Sequence, residues 1–476
     1  METTRIWING QWESTEKTYE LYSPYDGKLL ANIAKASKDD VNRAIEVAHQ
    51  TFQTFKKTSA YERAQILYKV VNILERRKQE MVSILVKEAG KPYKAALAEA
   101  ERTISTYLFA AEGAKQPSGE TVPLDAAPTG KGYMGYTKRV PLGVVSAITP
   151  FNFPFNLVAH KLGPAFAVGN TVVLKPANQT PLSALFMAEV FKEAGLPDGV
   201  LQIVTGSGSE LSESLITHEY VKKVTFTGSE KVGLAIKEKV GLRKLTLELG
   251  SNSALIVEPG TPIQQVISRI VNSAFNFAGQ VCISLQRIYV HESIYQEFVQ
   301  SFVDETNKLV IGDPANEMTD VSAMIHPTEV QRLKEWLNEA IKMGAEVATG
   351  GTFTERIMAP TVVLNASSQM KIVCQETFAP IVSIIPYKNL EDAINMVNES
   401  KYGLNVGIYT QSLSDALLVS DEIETGSLII NDIPSFRVDN MPYGGVKQSG
   451  YGREGIKFAI EEMTDLRFIA MKKTIG

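Results

Sequence analysis

The chain holds two cysteines, and Cys282 has the more reactive surroundings. It follows Gly279-Gln280-Val281, just past the glycine expected to stop a helix that carries Ile263, Val266, Ile267, Ile270, Val271 and Ala274. Thr261-Pro262-Ile263-Gln264 predicts the start of that helix, a capping box with proline at the first helical position. A thiol beyond a helix C-terminus meets the negative end of the dipole, which does not lower its pKa. As a nucleophile, Cys282 must therefore be activated by a base or a bound cofactor; otherwise it is a small buried hydrophobe. Cys374 has no glycine-bounded loop and is assigned to packing.

Glu248 is the candidate base. In Lys244-Leu245-Thr246-Leu247-Glu248-Leu249 the three leucines share one face of a strand, and Thr246 and Glu248 share the other. A carboxylate closing a parallel strand directly before Gly250 sits where open α/β sheets bind ligands. The alternative is a half-exposed edge residue. Asn152 lies in Thr149-Pro150-Phe151-Asn152-Phe153-Pro154, an aromatic segment stiffened by proline. Its amide either donates to a developing oxyanion or pins the loop backbone.

Two glycine turns follow strand patterns. Val204-Thr205-Gly206-Ser207-Gly208 fails as a dinucleotide fingerprint because Leu211 stands where the third glycine belongs. Phe226-Thr227-Gly228-Ser229 opens a helix through Val232, Gly233 and Ile236, whose first N–H groups suit a phosphate, although many βα turns look alike. The five histidines show no i, i+4 pair and none adjoins a cysteine, so no metal is expected.

These residues need a scaffold, and the periodicity supplies one. Ser37 with Asp40, and Ser59-x-x-Glu62, predict N-caps for helices carrying Val41, Ala44, Ile45 and Ala48, then Ile66, Leu67, Val70 and Ile73. A short N-terminal ribbon precedes them. Apolar runs at 144–148, 171–174, 201–204, 224–226 and 245–249 alternate with helical patterns or helix-length gaps, the mark of βαβ units in a parallel sheet. A second series at 254–257, 287–290, 362–364, 381–385, 406–409 and 428–430 predicts another such domain, with a junction near 250. The polar stretch 117–139 leads into hairpin-like Tyr133-Met134-Gly135-Tyr136. The tail Leu466-Arg467-Phe468-Ile469-Ala470-Met471 is strand-like and expected to pair with it in a neighbouring subunit.

With 48 Lys+Arg against 53 Asp+Glu and no basic block, nucleic acid and anionic membrane are not expected partners. The most apolar stretch, 140–159, is broken by Pro141, Pro150, Asn152, Pro154 and Asn156, and the N-terminus lacks a leader pattern. Sparse cysteine fits a reducing compartment, so a cytoplasmic protein is expected.

Several of these segments recur together. Thr-Pro-Phe-Asn-Phe-Pro at 149–154, Leu-Lys-Pro-Ala at 174–177, Phe-Thr-Gly-Ser at 226–229 and Glu-Leu-Gly at 248–250 come first. Gly-Gln-Val-Cys at 279–282, Glu-Thr-Phe-Ala-Pro at 376–380 and Pro-Tyr-Gly-Gly-Val-Lys-Gln-Ser-Gly at 442–450 complete the set. In this order they resemble the aldehyde dehydrogenase superfamily over essentially the whole chain, nearest to lactaldehyde, phosphonoacetaldehyde and non-phosphorylating glyceraldehyde-3-phosphate dehydrogenase-like members. The resemblance implies an α/β fold with two doubly wound parallel-sheet domains and a small oligomerisation β-ribbon. The implied boundaries are 1–118 and 140–249 for dinucleotide binding, 250–455 for catalysis, and 119–139 with 456–476 for the ribbon. It implies NAD or NADP as cofactor and a homodimer or homotetramer.

By the same resemblance Cys282 is the nucleophile, Asn152 with the Cys282 N–H forms the oxyanion hole, and Glu248 activates the deacylating water. Lys175, Asn178, Gly228, Ser229, Glu376, Phe378, Thr149 and Phe151 fall at cofactor positions. Ser251 replaces a usual glycine, Ala379 stands where glycine is common, and Asn178 replaces a glutamate frequent in NAD-preferring members, which leaves both dinucleotides open. Ser435-Phe436-Arg437-Val438-Asp439-Asn440 falls in the substrate loop. Arg437, with His160, Arg102 and Phe153, would receive an aldehyde with an anionic or hydroxylated tail; the alternative for Arg437 is a surface pair with Asp439. Rival readings are a CoA-acylating dehydrogenase, a kind that generally lacks the glutamate before Leu-Gly, and a non-catalytic paralogue.

Overall fold

Five parallel strands form the centre of the first sheet in the computed structural model, which describes residues 3–116 and 119–473. Their spatial order is Leu201–Ile203, Thr171–Lys175, Val144–Ile148, Val221–Thr227 and Lys244–Glu248. Nearly every residue in them is buried, as a sheet covered on both faces requires. Antiparallel edges close the sheet: Ile6–Ile8 with Gln11–Glu13 at one side, Gly450–Tyr451 at the other. The second sheet sets six parallel strands in the order Thr361–Leu364, Ile381–Tyr387, Arg287–His291, Ala254–Val257, Asn405–Tyr409 and Ser427–Ile430, with Glu346–Thr349 antiparallel at one edge. The fold is thus the expected mixed α/β class with two parallel-sheet units. Its edge strands escape pattern reading because Gln11-Trp12-Glu13 and Gly450-Tyr451 are too short and polar to show a run.

In the first sheet the chain steps outward from Val144–Ile148 to Leu201–Ile203, then returns to place Val221–Thr227 beside Val144–Ile148. That reversal is a switch point, where a crevice opens at the strands' carboxyl ends. Ser37 and Ser59 each form the expected capping box. The box expected at Thr261 does not form: the Thr261 hydroxyl donates to the Glu258 carbonyl at 2.6 Å, and Pro262 caps the helix Ile263–Phe275 without a side-chain bond. That helix also ends before Gly279. Phe277, Ala278 and Gly279 take φ values of 49°, 53° and 67°, three consecutive left-handed residues held by complete burial.

Tyr133–Pro141 pairs antiparallel with Thr464–Lys472 along its whole length, and Thr121–Val122 adds a third strand. This corrects the expectation of pairing across subunits: both strands belong to one chain. The cause is the helix Ile456–Glu462, whose Ile456 and Ile460 pack into the first hydrophobic core and deliver Thr464 opposite Pro141. Residues 474–476, expected in the ribbon, as well as 1–2 and 117–118, lie outside the described residues. No helix among the described residues is long and apolar enough to cross a membrane.

Candidate active site

Asn152, Lys175, Gly228 and Glu248 all lie at or just past carboxyl ends of the first sheet's parallel strands. Glu248 is only 3% exposed, which excludes the half-exposed edge reading. Its backbone carbonyl accepts the Gly228 N–H at 3.0 Å, tying two strand ends together. Both carboxylate oxygens lack a hydrogen-bond partner among the described residues. A Cβ on Gly444 would stand 3.1 Å from Oε1, so glycine there leaves the carboxylate its room. Burial, then the nearby Glu454, pushes the Glu248 pKa well above the usual carboxylate range. Burial acts on Glu454 as well, but Lys161, at 3.0 Å, with His160 and Arg437 holds it down to about 2.

Of the two jobs considered for the Asn152 amide, the structure shows the pinning of the loop backbone. Nδ2 donates to the Gln280 carbonyl at 3.1 Å, which pins the loop to the segment before Cys282 and leaves one N–H available. The Asn152 carbonyl accepts from Lys91 Nζ at 2.6 Å. Lys91 is fully buried and ion-paired with Glu99, whose other oxygen accepts the Phe155 N–H at 3.0 Å and the Asn156 N–H at 3.3 Å. Its ammonium also lies 3.9 Å from the Phe153 ring and 4.5 Å from that of Phe277. One buried cation thus fixes both the Asn152 loop and the left-handed turn. Lys91 lies in the short connection between the helices Lys78–Ala89 and Tyr93–Gly113, Glu99 lies in the second of them, and nothing in their spacing marks them.

Cys282 is half-buried beside Ile283, Leu404 and Tyr443. Its Sγ lies 3.0 Å from Tyr443 Oη, another residue that pattern reading does not single out. Burial pushes the thiol up to about 11, against the pull of the Tyr443 hydrogen bond and of Arg437.

On the dinucleotide side, Lys175 is buried and donates to the Pro176 carbonyl at 2.9 Å, with Asn178 Oδ1 at 3.5 Å. Burial brings its pKa down to about 8. The rejected glycine turn lies beside it: a Cβ on Gly208 would stand 3.9 Å from Lys175 Cε, and Ser207 caps the helix Gly208–Thr217. Ser229 caps Glu230–Lys239 with no side-chain cap bond. Glu376 is pressed against Gly250, where a Cβ would collide with its carboxylate, and accepts the Ser251 N–H at 2.9 Å. Burial raises its pKa to about 7.

Phe378 holds φ 51° and meets Phe151 edge-on at 5.9 Å. The Thr377 next to it is anchored by Gln286 Oε1, which accepts its N–H at 3.0 Å, and by Arg332, which donates to its carbonyl at 2.8 Å. Ser251 and Ala379 are not among the left-handed residues, so neither position requires glycine. The Thr149 and Thr227 hydroxyls at these strand ends are buried without partners. Unpaired donors, two helix starts without side-chain cap bonds and a buried lysine fit a dinucleotide.

A cavity of about 290 Å³ has Cys282, Phe153, Arg102 and Arg437 in its wall. The Arg437 side chain is 6% exposed; its guanidinium covers the Tyr443 ring at 3.6 Å, and Nη2 is 3.5 Å from Glu454 Oε2. Nε has no partner. The surface pair with Asp439 is therefore absent. Asp439 instead accepts from Arg102 at 2.7 and 3.2 Å, from Asn156 Nδ2 at 3.2 Å and from His160 Nε2 at 2.9 Å. Burial opposes its charge, but His160 and Arg102 hold its carboxyl well below the usual range. An ionised Asp439 only accepts, so His160 carries its proton on Nε2; burial, then Arg437, lowers its pKa. His160 stands behind the cavity wall rather than in it, and Arg102 reaches the cavity already paired.

Comparison with known proteins extends over the same ground. The sequence model of the aldehyde dehydrogenase family matches residues 12–469. The 3-sulfolactaldehyde dehydrogenase of Priestia megaterium is 47% identical over 98% of this chain and 97% of its own. The lactaldehyde dehydrogenase of Methanococcus aeolicus is 36% identical, over 98% and 99%. The crystal structure of glyceraldehyde-3-phosphate dehydrogenase from Methanocaldococcus jannaschii, complexed with NADP, superposes with a TM-score of 0.93 at 34% identity, covering 96% of this chain and 100% of that one. Likeness on this scale, in sequence and in backbone alike, makes the protein a member of the aldehyde dehydrogenase family, an enzyme that oxidises an aldehyde with NAD or NADP.

Proposed function

We propose that the enzyme oxidises a short aldehyde bearing a hydroxyl or an anionic group to its carboxylate, through a thioester on Cys282. The carrying observation is Arg437, a nearly buried guanidinium with an unpartnered Nε in the wall of the cavity that holds Cys282. The relatives named above, acting on sulfolactaldehyde, lactaldehyde and glyceraldehyde 3-phosphate, support the same class.

In this reading the Cys282 sulfur attacks the carbonyl carbon, and the oxygen takes the negative charge. The free Asn152 N–H and the Cys282 backbone N–H stabilise it. Lys175, Asn178, Gly228, Ser229, Thr149, Phe151, Glu376 and Phe378 would hold the dinucleotide, with no carboxylate at 178 to oppose a 2′-phosphate. Held there, the dinucleotide would supply the hydride acceptor for the oxidation. Glu248 then takes a proton from the water that displaces the sulfur, releasing the carboxylate and returning the thiol; its raised pKa makes it a strong base once ionised.

The dinucleotide-binding domain is assigned to 1–118 and 140–249 and the catalytic domain to 250–455. The ribbon presents Leu466, Phe468 and Met471 to solvent, Leu466 at 60%, which supports a homodimer or homotetramer formed through it. Two unpaired cysteines support a cytoplasmic setting. The test is NAD and NADP reduction over a panel of neutral, hydroxylated and anionic short aldehydes. The highest kcat/KM is expected for an anionic hydroxyaldehyde; equal values for propanal overturn the substrate class.

A further inference from the structure

How the thiol ionises is the question that the site leaves open. Burial opposes a thiolate at Cys282. No histidine is at hand, since His160 faces Asp439. Negative charge on Glu376 or Glu248 disfavours charge on the sulfur, while Arg437 favours it. Among the described residues the one side-chain hydrogen bond that Sγ makes is with Tyr443 Oη, at 3.0 Å.

Tyr443 is built to hold that position. Its N–H donates to the Glu454 carbonyl at 3.1 Å and its carbonyl accepts the Glu454 N–H at 2.6 Å. The ring is buried against Ile283 and Leu404, and the Arg437 guanidinium lies 3.6 Å from its centre. A hydroxyl on a ring gripped this way reaches the sulfur with little entropy left to lose. While the sulfur is a thiol, either group can donate; once it is a thiolate, the phenol alone can, and such charge-assisted bonds are the stronger kind.

We propose that Tyr443 is a catalytic residue, whose phenolic O–H donates to the Cys282 sulfur as the thiolate forms, with Arg437 fixing the ring as donor. The thiol proton leaves to water and the phenol keeps its own, so no further reactant is required. The inference rests on Cys282 as the nucleophile.

The test is the rate of alkylation by iodoacetamide against pH, in a Cys374→Ser background so that one thiol reports. In Tyr443→Phe the half-maximal pH is expected to rise by about one unit, a roughly tenfold loss of thiolate at fixed pH. The value of kcat/KM should fall by a similar factor for propanal and for anionic aldehydes alike. Replacing Tyr443 with 3-fluorotyrosine, nearly the same shape with a more acidic phenol, should move the midpoint down, and it carries the test if the phenylalanine variant fails to fold. Unchanged midpoints overturn the inference. Activity surviving in Cys282→Ser overturns the nucleophile assignment itself; an inactive Cys282→Ser beside a Tyr443→Phe protein with the parental profile removes only the role of Tyr443.

Discussion

The surroundings of the cavity beside Cys282 and the carboxyl ends of the first sheet bury their carboxylates in opposite ways. In and behind the wall, Asp439 has Arg102, His160 and Asn156, Glu99 has Lys91 and two backbone N–H groups, and Glu454 has Lys161. At the strand ends, both Glu248 oxygens, Asn152 Oδ1 and the Thr149 and Thr227 hydroxyls have no partner among the described residues. A buried polar group without a partner costs stability, commonly about 1–3 kcal/mol. The paired region gives the cavity its shape, whereas the unpaired groups keep hydrogen-bonding capacity that a ligand would use. Arg437 belongs to both, since Nη2 faces Glu454 and Nε faces no partner.

The contrast breaks most severely at Glu248. Glu248→Gln should lower kcat by about 10²–10⁴ and leave acyl-enzyme to accumulate, seen as a burst of dinucleotide reduction followed by a slow steady state. In the parent enzyme kcat should fall with decreasing pH as Glu248 takes up a proton. That acid limb should lie above the usual carboxylate range, because burial and Glu454 raise the pKa, and it should vanish in the glutamine variant.

The paired region responds in stability. Glu99→Gln leaves the Lys91 ammonium buried without its counter-charge and should cost about 3–5 kcal/mol in urea unfolding, whereas replacing both with apolar residues of similar volume should cost much less. Arg437→Ala should sharpen the view that this residue bridges the two regions. It should reduce kcat/KM for a carboxylated, sulfonated or phosphorylated aldehyde about tenfold or more beyond any loss with propanal. Equal losses would place Arg437 wholly in the paired set.

Much of the scaffold is legible in the amino-acid order because its cause is local. The strand interiors show as apolar runs, and Glu248 shows as the polar face of an alternating strand that ends at a glycine. The resemblance to a family supplied roles for Asn152, Lys175 and Glu376 that spacing leaves undecided. What stayed hidden links residues far apart in the chain. Tyr443 is 161 positions from Cys282, and Asp439 is 337 from Arg102. Local signals also lost where tertiary packing was stronger. Thr261 has the spacing of a capping box, yet its hydroxyl is drawn to the Glu258 carbonyl, and the tail strand finds its partner within the chain because Ile456 and Ile460 anchor the helix before it.

Gly279 abuts the Ala379 carbonyl so closely that no side chain fits between them. The ribbon of chain bearing the sulfur and the one bearing Glu376 and Phe378 therefore behave as a single mechanical part, keyed together at that point. An engineer transplanting residues 276–282 into a related scaffold must bring 376–380 with them. Moved alone, either piece would meet a surface shaped for another counterpart, and the spacing between sulfur and nicotinamide would be set by the mismatch.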